Sequence, residues 1–99
     1  MYLYNITVVM DDEIHEAARE RIMTPLANHR SGGGAVSFLQ LLDSPHQGTT
    51  YCIQLRTESE SDIAIFQQQC LQTIQTLAEG EFSGKLVLFD STMKYLTIP

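Results

Sequence analysis

The chain has 99 residues, 43% of them apolar, and a formal charge of −6 from twelve acidic and six basic side chains. That length gives one core of modest size, so the expected organisation is a single domain over 1–99 for which self-association is a natural aid to stability. Scattered lysines and arginines on a net-negative chain argue against nucleic acid as a partner, because affinity for phosphate backbones comes from displaced counterions. No apolar run approaches the roughly 18 residues that cross a bilayer. The start, Met1-Tyr2-Leu3-Tyr4-Asn5, has neither the basic segment nor the small-residue cleavage site of an export signal, and Cys52 and Cys70 have no motif spacing. The expectation is a cytoplasmic protein with both thiols reduced.

Tyr2 to Met10 alternates, with Tyr2, Tyr4, Ile6, Val8 and Met10 on one side and Leu3, Asn5, Thr7 and Val9 on the other, which predicts a half-buried strand. Asp11, Asp12 and Glu13 then suit a helix N-terminus, followed by Ile14, Ala18, Ile22 and Leu26 at intervals of four. Pro25 predicts a stop or kink near Met23, with room for one more turn through Asn28. After the glycine run 32–34, a second strand is expected over 35–42. Ser44 to Gly48 has turn composition, and Thr49 to Thr57 alternates again, so the pair reads as a hairpin. Ser59 and Asp62 have capping-box spacing ahead of an apolar stripe at Ile63, Phe66, Cys70, Ile74 and Leu77, the pattern of a second helix ending near Gly80. A last strand begins at Lys85 and runs through Phe89. Beyond Asp90-Ser91-Thr92, residues 93–98 alternate once more and predict either a continuation or a short extra strand.

The order βαββαβ matches the α+β, ferredoxin-like split βαβ plan: a four-stranded antiparallel sheet with two helices on one face. The other face would carry Leu3, Asn5, Thr7 and Val9, then Cys52, Gln54 and Arg56. Because Leu86 and Leu88 oppose Val87 and Phe89, the last strand is apolar on both sides, and such strands are usually covered on both. A second copy is the economical cover, giving a dimer closed through the open sheet faces as in a dimeric α/β barrel.

Candidate chemistry is sparse. His15, His29 and His46 lack the spacing of helical metal ligands, so neither a metal site nor a cofactor is expected. Cys70 lies in the core stripe, and Cys52 has no His or Lys close in sequence to activate it. The glycine run joins a helix to a strand, the reverse of a phosphate loop. The acidic group around Asp12 suits helix capping better than cation binding. What stands out is Asn5, which interrupts an apolar strand and, with Thr7, Gln54 and Arg56, puts hydrogen-bonding groups in the middle of the open face. These four could orient a small polar or anionic ligand, or satisfy one another across a dimer interface, and the interface reading is favoured.

The segments MYLYNITVVMDDEIH, GTTYCIQL and SGKLVLF resemble a bacterial family catalogued as domain of unknown function 4286, with its MYxYNxTV start, TYxIQ strand and GGKF-like turn. Tyr2, Tyr4, Asn5 and Thr7 match the start, Tyr51, Ile53 and Gln54 the middle, and Gly84-Lys85 the end, while Ser83 departs from the usual glycine. The resemblance implies a fold and no mechanism. More remotely the chain is similar to dimeric α/β-barrel proteins, some of them cofactor-independent monooxygenases or haem-degrading enzymes. The Asn, Trp and His set associated with the latter cannot be assembled in a chain without Trp. Paired cysteines of a metallochaperone, the arginine-bearing glycine loop of an acylphosphatase and the aromatic-basic strand of an RNA-recognition motif are missing too. The expected function is a small, non-catalytic, homodimeric binding or accessory domain. The alternative is a cofactor-independent, monooxygenase-like enzyme acting on a small organic molecule.

Overall fold

The computed structural model describes residues 1–27, 29, 33–43 and 47–99. Its strands are β1 (Tyr2–Met10), β2 (Ala35–Gln40), β3 (Thr49–Thr57) and β4 (Leu86–Lys94), and its helices α1 (His15–Ala27), α2 (Glu60–Phe66) and α3 (Gln72–Glu79). A π-helical turn, Gln67–Leu71, joins α2 to α3, so the second expected helix is one run with a widened middle. The sheet order is β2-β3-β1-β4, every neighbouring pair antiparallel, as the ferredoxin-like plan requires.

The alternation of β1 decides which face meets the helices. Tyr4, Ile6 and Val8 are fully buried there, against Ile53 and Leu55 of β3, Ala18 and Ile22 of α1, and Phe66, Cys70 and Ile74 of the second helical run. Phe66 stands edge-on to the Tyr4 ring with 6.0 Å between centroids, a favoured aromatic geometry. The hydroxyl of Tyr4 escapes this apolar layer by donating to Asp90 Oδ2 at 2.6 Å, and the Gln67 side chain also bonds it from the π-helical turn. Burial first, then the Asp90 carboxylate, hold that hydroxyl above the ordinary tyrosine range.

Several local expectations are corrected. Helix α1 takes the further turn past Met23 rather than the stop: it carries Pro25 in its last turn and ends at Ala27, with Asn28 outside the described residues. Proline so near a C-terminus forfeits a single intrahelical bond, less than the packing of Ile22 and Leu26 returns. The acidic residues before α1 form a 3₁₀ turn, Asp12–Ile14, and Asp11 makes no side-chain cap. Asp12 instead accepts from Thr49 Oγ1 at 2.7 Å, and Glu13 pairs with Lys85 at 2.7 Å, so these charges tie the turn to β3 and to the start of β4. Strand β2 ends at Gln40 rather than at 42, although Leu41 N–H still donates to Thr50 O. Strand β4 runs unbroken through Asp90, Ser91 and Thr92, because these polar residues lie on an edge strand in register with Ile6, Asn5 and Tyr4. Past Lys94 no strand continues. Tyr95 N–H still bonds Met1 O at 3.0 Å, and Leu96 and Ile98 are 80% and 91% exposed. Of the expected hairpin turn, Ser44, Pro45 and His46 lie outside the described residues.

The capping box is also rearranged. Ser59 caps α2 through Ser61 N–H, while Asp62 turns away to accept from the Thr57 hydroxyl and from Gly33 N–H. That pair of bonds fastens the α1–β2 connection to the start of α2. Next to it Gly34 adopts φ +97°, and a Cβ there would lie 2.5 Å from the Arg56 carbonyl oxygen, so only glycine fits.

Thr57 first and Gly33 second hold the Asp62 carboxyl below its ordinary value. Its contribution is therefore in place above the unfolded carboxylate pKa of about 3.9 and is lost as pH falls through the lower native value. In urea titrations, Asp62→Asn is expected to destabilise the chain at neutral pH and to flatten its loss of stability below about pH 4. An acid limb as steep in the variant as in the parent would rule out this role.

Candidate functional site

The uncovered sheet face is read from the strand registers. Across β2, β3, β1 and β4, one row holds Ala35, Arg56, Leu3 and Met93, the next Ser37, Gln54, Asn5 and Ser91, and the third Leu39, Cys52, Thr7 and Phe89. A polar row thus crosses the whole sheet between two rows richer in apolar groups. Asn5 is its hub. Gln54 Nε2 donates to Asn5 Oδ1 at 3.2 Å, and Asn5 Nδ2 donates to Thr7 Oγ1 at 2.9 Å. Thr7 Oγ1 in turn lies 3.9 Å from Cys52 Sγ.

The structure therefore joins three of the sequence-derived site residues, Asn5, Thr7 and Gln54, in one hydrogen-bonded chain. Arg56 sits one row away. With Gln54, Leu3, Ala35, Ser37 and Tyr95 it lines a shallow hollow of about 150 Å³. Tyr95 reaches this hollow because its backbone keeps the register of β4 for one residue beyond Lys94, a placement the sequence signalled only through the resumed alternation. Around these polar groups, Phe89 is 62%, Val87 65%, Leu39 45% and Met93 44% exposed.

The histidines and cysteines resolve differently. His29 Nδ1 is 2.7 Å from Gln69 Oε1, and its ring stands edge-on to Phe66 at 5.1 Å, so it packs against the second helical run. His15 is half-buried, and its Nδ1 is buried with no hydrogen-bond partner among the described residues. His46 lies outside them. Cys70 is fully buried, and burial pushes its thiol up to about 11, whereas Cys52 is half-buried on the open face. Among the described residues no three His, Cys, Asp or Glu side chains converge as metal ligands, and no helix is long and apolar enough to cross a membrane.

A second concavity was not legible in the sequence. Between α1 and the edge strand β2 lies a cleft of about 790 Å³, lined by Arg19, Glu20, Met23 and Thr24 from the helix and by Phe38, Leu39, Gln40 and Tyr51 from the sheet. Its aromatic wall is the Phe38–Tyr51 pair, 5.1 Å between centroids and tilted by 37°. Only the closed topology brings helix residues 19–24 beside strand residues 38–40, so no local spacing announces it.

The fold and its two-faced sheet define a ferredoxin-like α+β protein. The chain belongs to the family described as Domain of unknown function (DUF4286), which matches residues 1–96. None of the curated proteins matches it. Among solved structures it is similar to a candidate antibiotic biosynthesis monooxygenase from Deinococcus radiodurans, with TM-score 0.73, 12% identity, and 100% and 96% of the two chains covered. A protein of the same description from Nitrosomonas europaea gives 0.72 and 18%, covering 98% of this chain and 100% of the other. A dimeric ferredoxin-like protein from an uncultured marine organism gives 0.62 and 9%, covering 98% and 97%. At these identities the likeness establishes the fold.

The polar chain on the open face has an energetic signature. Asn5→Ala is expected to leave the protein folded and cost about 1 kcal/mol, and Gln54→Ala less than additively in the double variant, with about 0.5 kcal/mol or more of coupling. Strict additivity in denaturant titrations would mean that the two amides do not act together.

Proposed function

We propose that the chain is a homodimeric binding module whose two copies pack open face to open face, closing the sheets into a dimeric α/β barrel. The observation that carries this reading is the open face itself. Leu39, Val87, Phe89 and Met93 lie exposed around a polar row whose Asn5, Thr7 and Gln54 are already hydrogen-bonded to one another. Such a face can be desolvated at low cost, because its central amides keep partners when water leaves. Each large apolar side chain that is covered contributes about 1.5 to 3 kcal/mol. Three strands of nine residues and one of six, about 4.8 Å apart, present roughly 500 Å² of sheet, the order of one partner's share of a standard interface. A dimer is the assembly named for the similar marine protein.

In this reading Asn5, Thr7 and Gln54 set the register between copies, and Arg56 with Tyr95 closes one end of the shared layer. One domain spans the chain, and no catalytic residue is assigned. A second reading, an enzyme of the monooxygenase type acting on a small organic molecule, draws on the two similar proteins of that description. The layer between helices and sheet holds Tyr4, Ile6, Phe66 and Ile74 fully buried, so a substrate would have to use the cleft beside α1 instead.

Light scattering at micromolar concentration should return about twice the chain mass. Leu39→Lys with Phe89→Lys should give a folded monomer, since both side chains are exposed in the single chain. A parent protein that runs as a monomer contradicts the proposal.

A further inference from the structure

The cleft between α1 and β2 lies mainly on the helix side of the sheet, away from the proposed dimer face, and has the attributes of a ligand site. Its volume of about 790 Å³ falls within the range of small-molecule pockets, roughly 300 to 1,000 Å³. One wall is apolar, made on the helix side of the sheet by the Phe38 and Tyr51 rings, and Met23 lines it from the helix, 46% exposed. Of the polar groups around it, the Thr24 hydroxyl donates to the Glu20 carbonyl at 3.2 Å, while the charged side chains of Arg19 and Glu20 make no ion pair among the described residues. Arg21, by contrast, pairs with Glu81 at 2.9 Å and Lys85 with Glu13. In a chain with twice as many acids as bases, a guanidinium left unpaired at the mouth of an aromatic cleft is available to an external anion.

The strand edge adds donors. Leu41 N–H bonds Thr50 O across to β3, and antiparallel residues direct their backbone groups alternately to one side and the other. Leu39 therefore faces β3 as Leu41 does, while Phe38 and Gln40 direct their N–H and C=O groups outward. Because β2 is an edge strand, no strand among the described residues meets them there. Phe38 and Gln40 both line the cleft.

We infer that this cleft binds a flat organic monocarboxylate, its apolar body against Phe38, Tyr51 and Met23 and its carboxylate on the Arg19 guanidinium. The outward N–H groups of β2 supply further donors to the anion. Glu20, also at the rim and without an ion pair among the described residues, disfavours a second negative charge on the ligand, so dianions are discriminated against. The inference rests on the reading of the chain as a binding module but uses a different face, so the two can fail separately.

The test titrates the isotope-labelled full chain with 2-naphthoate and, as a neutral isostere, 2-naphthamide, following backbone amide shifts. Saturable shifts at Met23, Phe38 and Gln40 are expected, with a Kd below about 1 mM and at least about tenfold weaker binding of the amide. Arg19→Gln and Met23→Glu, both on exposed positions, should keep the fold and weaken naphthoate by a similar factor. Equal affinity for acid and amide, indifference to Arg19→Gln, shifts confined to the open face, or no binding at about 10 mM would each overturn the inference. Light scattering on the same samples reports the dimer independently: a dimer that ignores naphthoate refutes only the cleft, and a monomer that binds it refutes only the assembly.

Discussion

Strand β1 is the constraint on which the rest of the structure depends. It is paired along all nine residues with β3 on one side and with β4 on the other, and its side chains alternate without interruption. A slip of one residue in either register would turn Tyr4, Ile6 and Val8 out of the helix-covered layer and bring Asn5 and Thr7 into it. Burying an amide and a hydroxyl with no partner costs several kcal/mol, and losing three large apolar groups from the core costs more. One strand therefore sets the helix-facing core, the sheet order around it and the composition of the opposite face.

The two faces use polar groups in different ways. On the helix side they are few and serve as fasteners: Tyr4 to Asp90, with Gln67 reaching in from the π-helical turn, and Asp62 to Thr57 and Gly33. A π-helical turn widens the backbone locally, and here it lies where the second helical run passes from Phe66, edge-on to Tyr4, to Cys70 in the core. On the open side the polar groups form a row across four strands, flanked by exposed Phe89, Leu39 and Met93. A surface apolar at its margins and internally satisfied at its centre is suited to burial against a copy of itself.

Element order and the identity of the buried face were legible because they follow from period. Alternation in β1 and β3 and the three-four spacing of Ile63, Phe66, Cys70 and Ile74 survive in the structure with bounds close to those read from the residues. The boundaries left open lie where a local signal competes with tertiary contact. Pro25 allows either a stop near Met23 or one more turn, and Asp90-Ser91-Thr92 either a continued strand or a short extra one, and packing by Leu26 and pairing with β1 select continuation in both. Asn5, Thr7 and Gln54 could be grouped from sequence because adjacent strands in register bring them together. Arg19, Phe38 and Tyr51 could not, since an edge groove between a helix and a strand depends on how the layers meet.

The most direct test of the two-faced sheet is the reactivity of Cys52, which lies in the open-face row with Thr7 and Phe89, measured against protein concentration. Cys70, fully buried with its thiol pKa pushed up to about 11, serves as the internal control that stays inert while the chain is folded. If two copies close over the open face, Cys52 should be modified rapidly in dilute protein and progressively more slowly as concentration rises and the face is covered. A rate at Cys52 that does not change with concentration, with Cys70 still protected, would contradict the account.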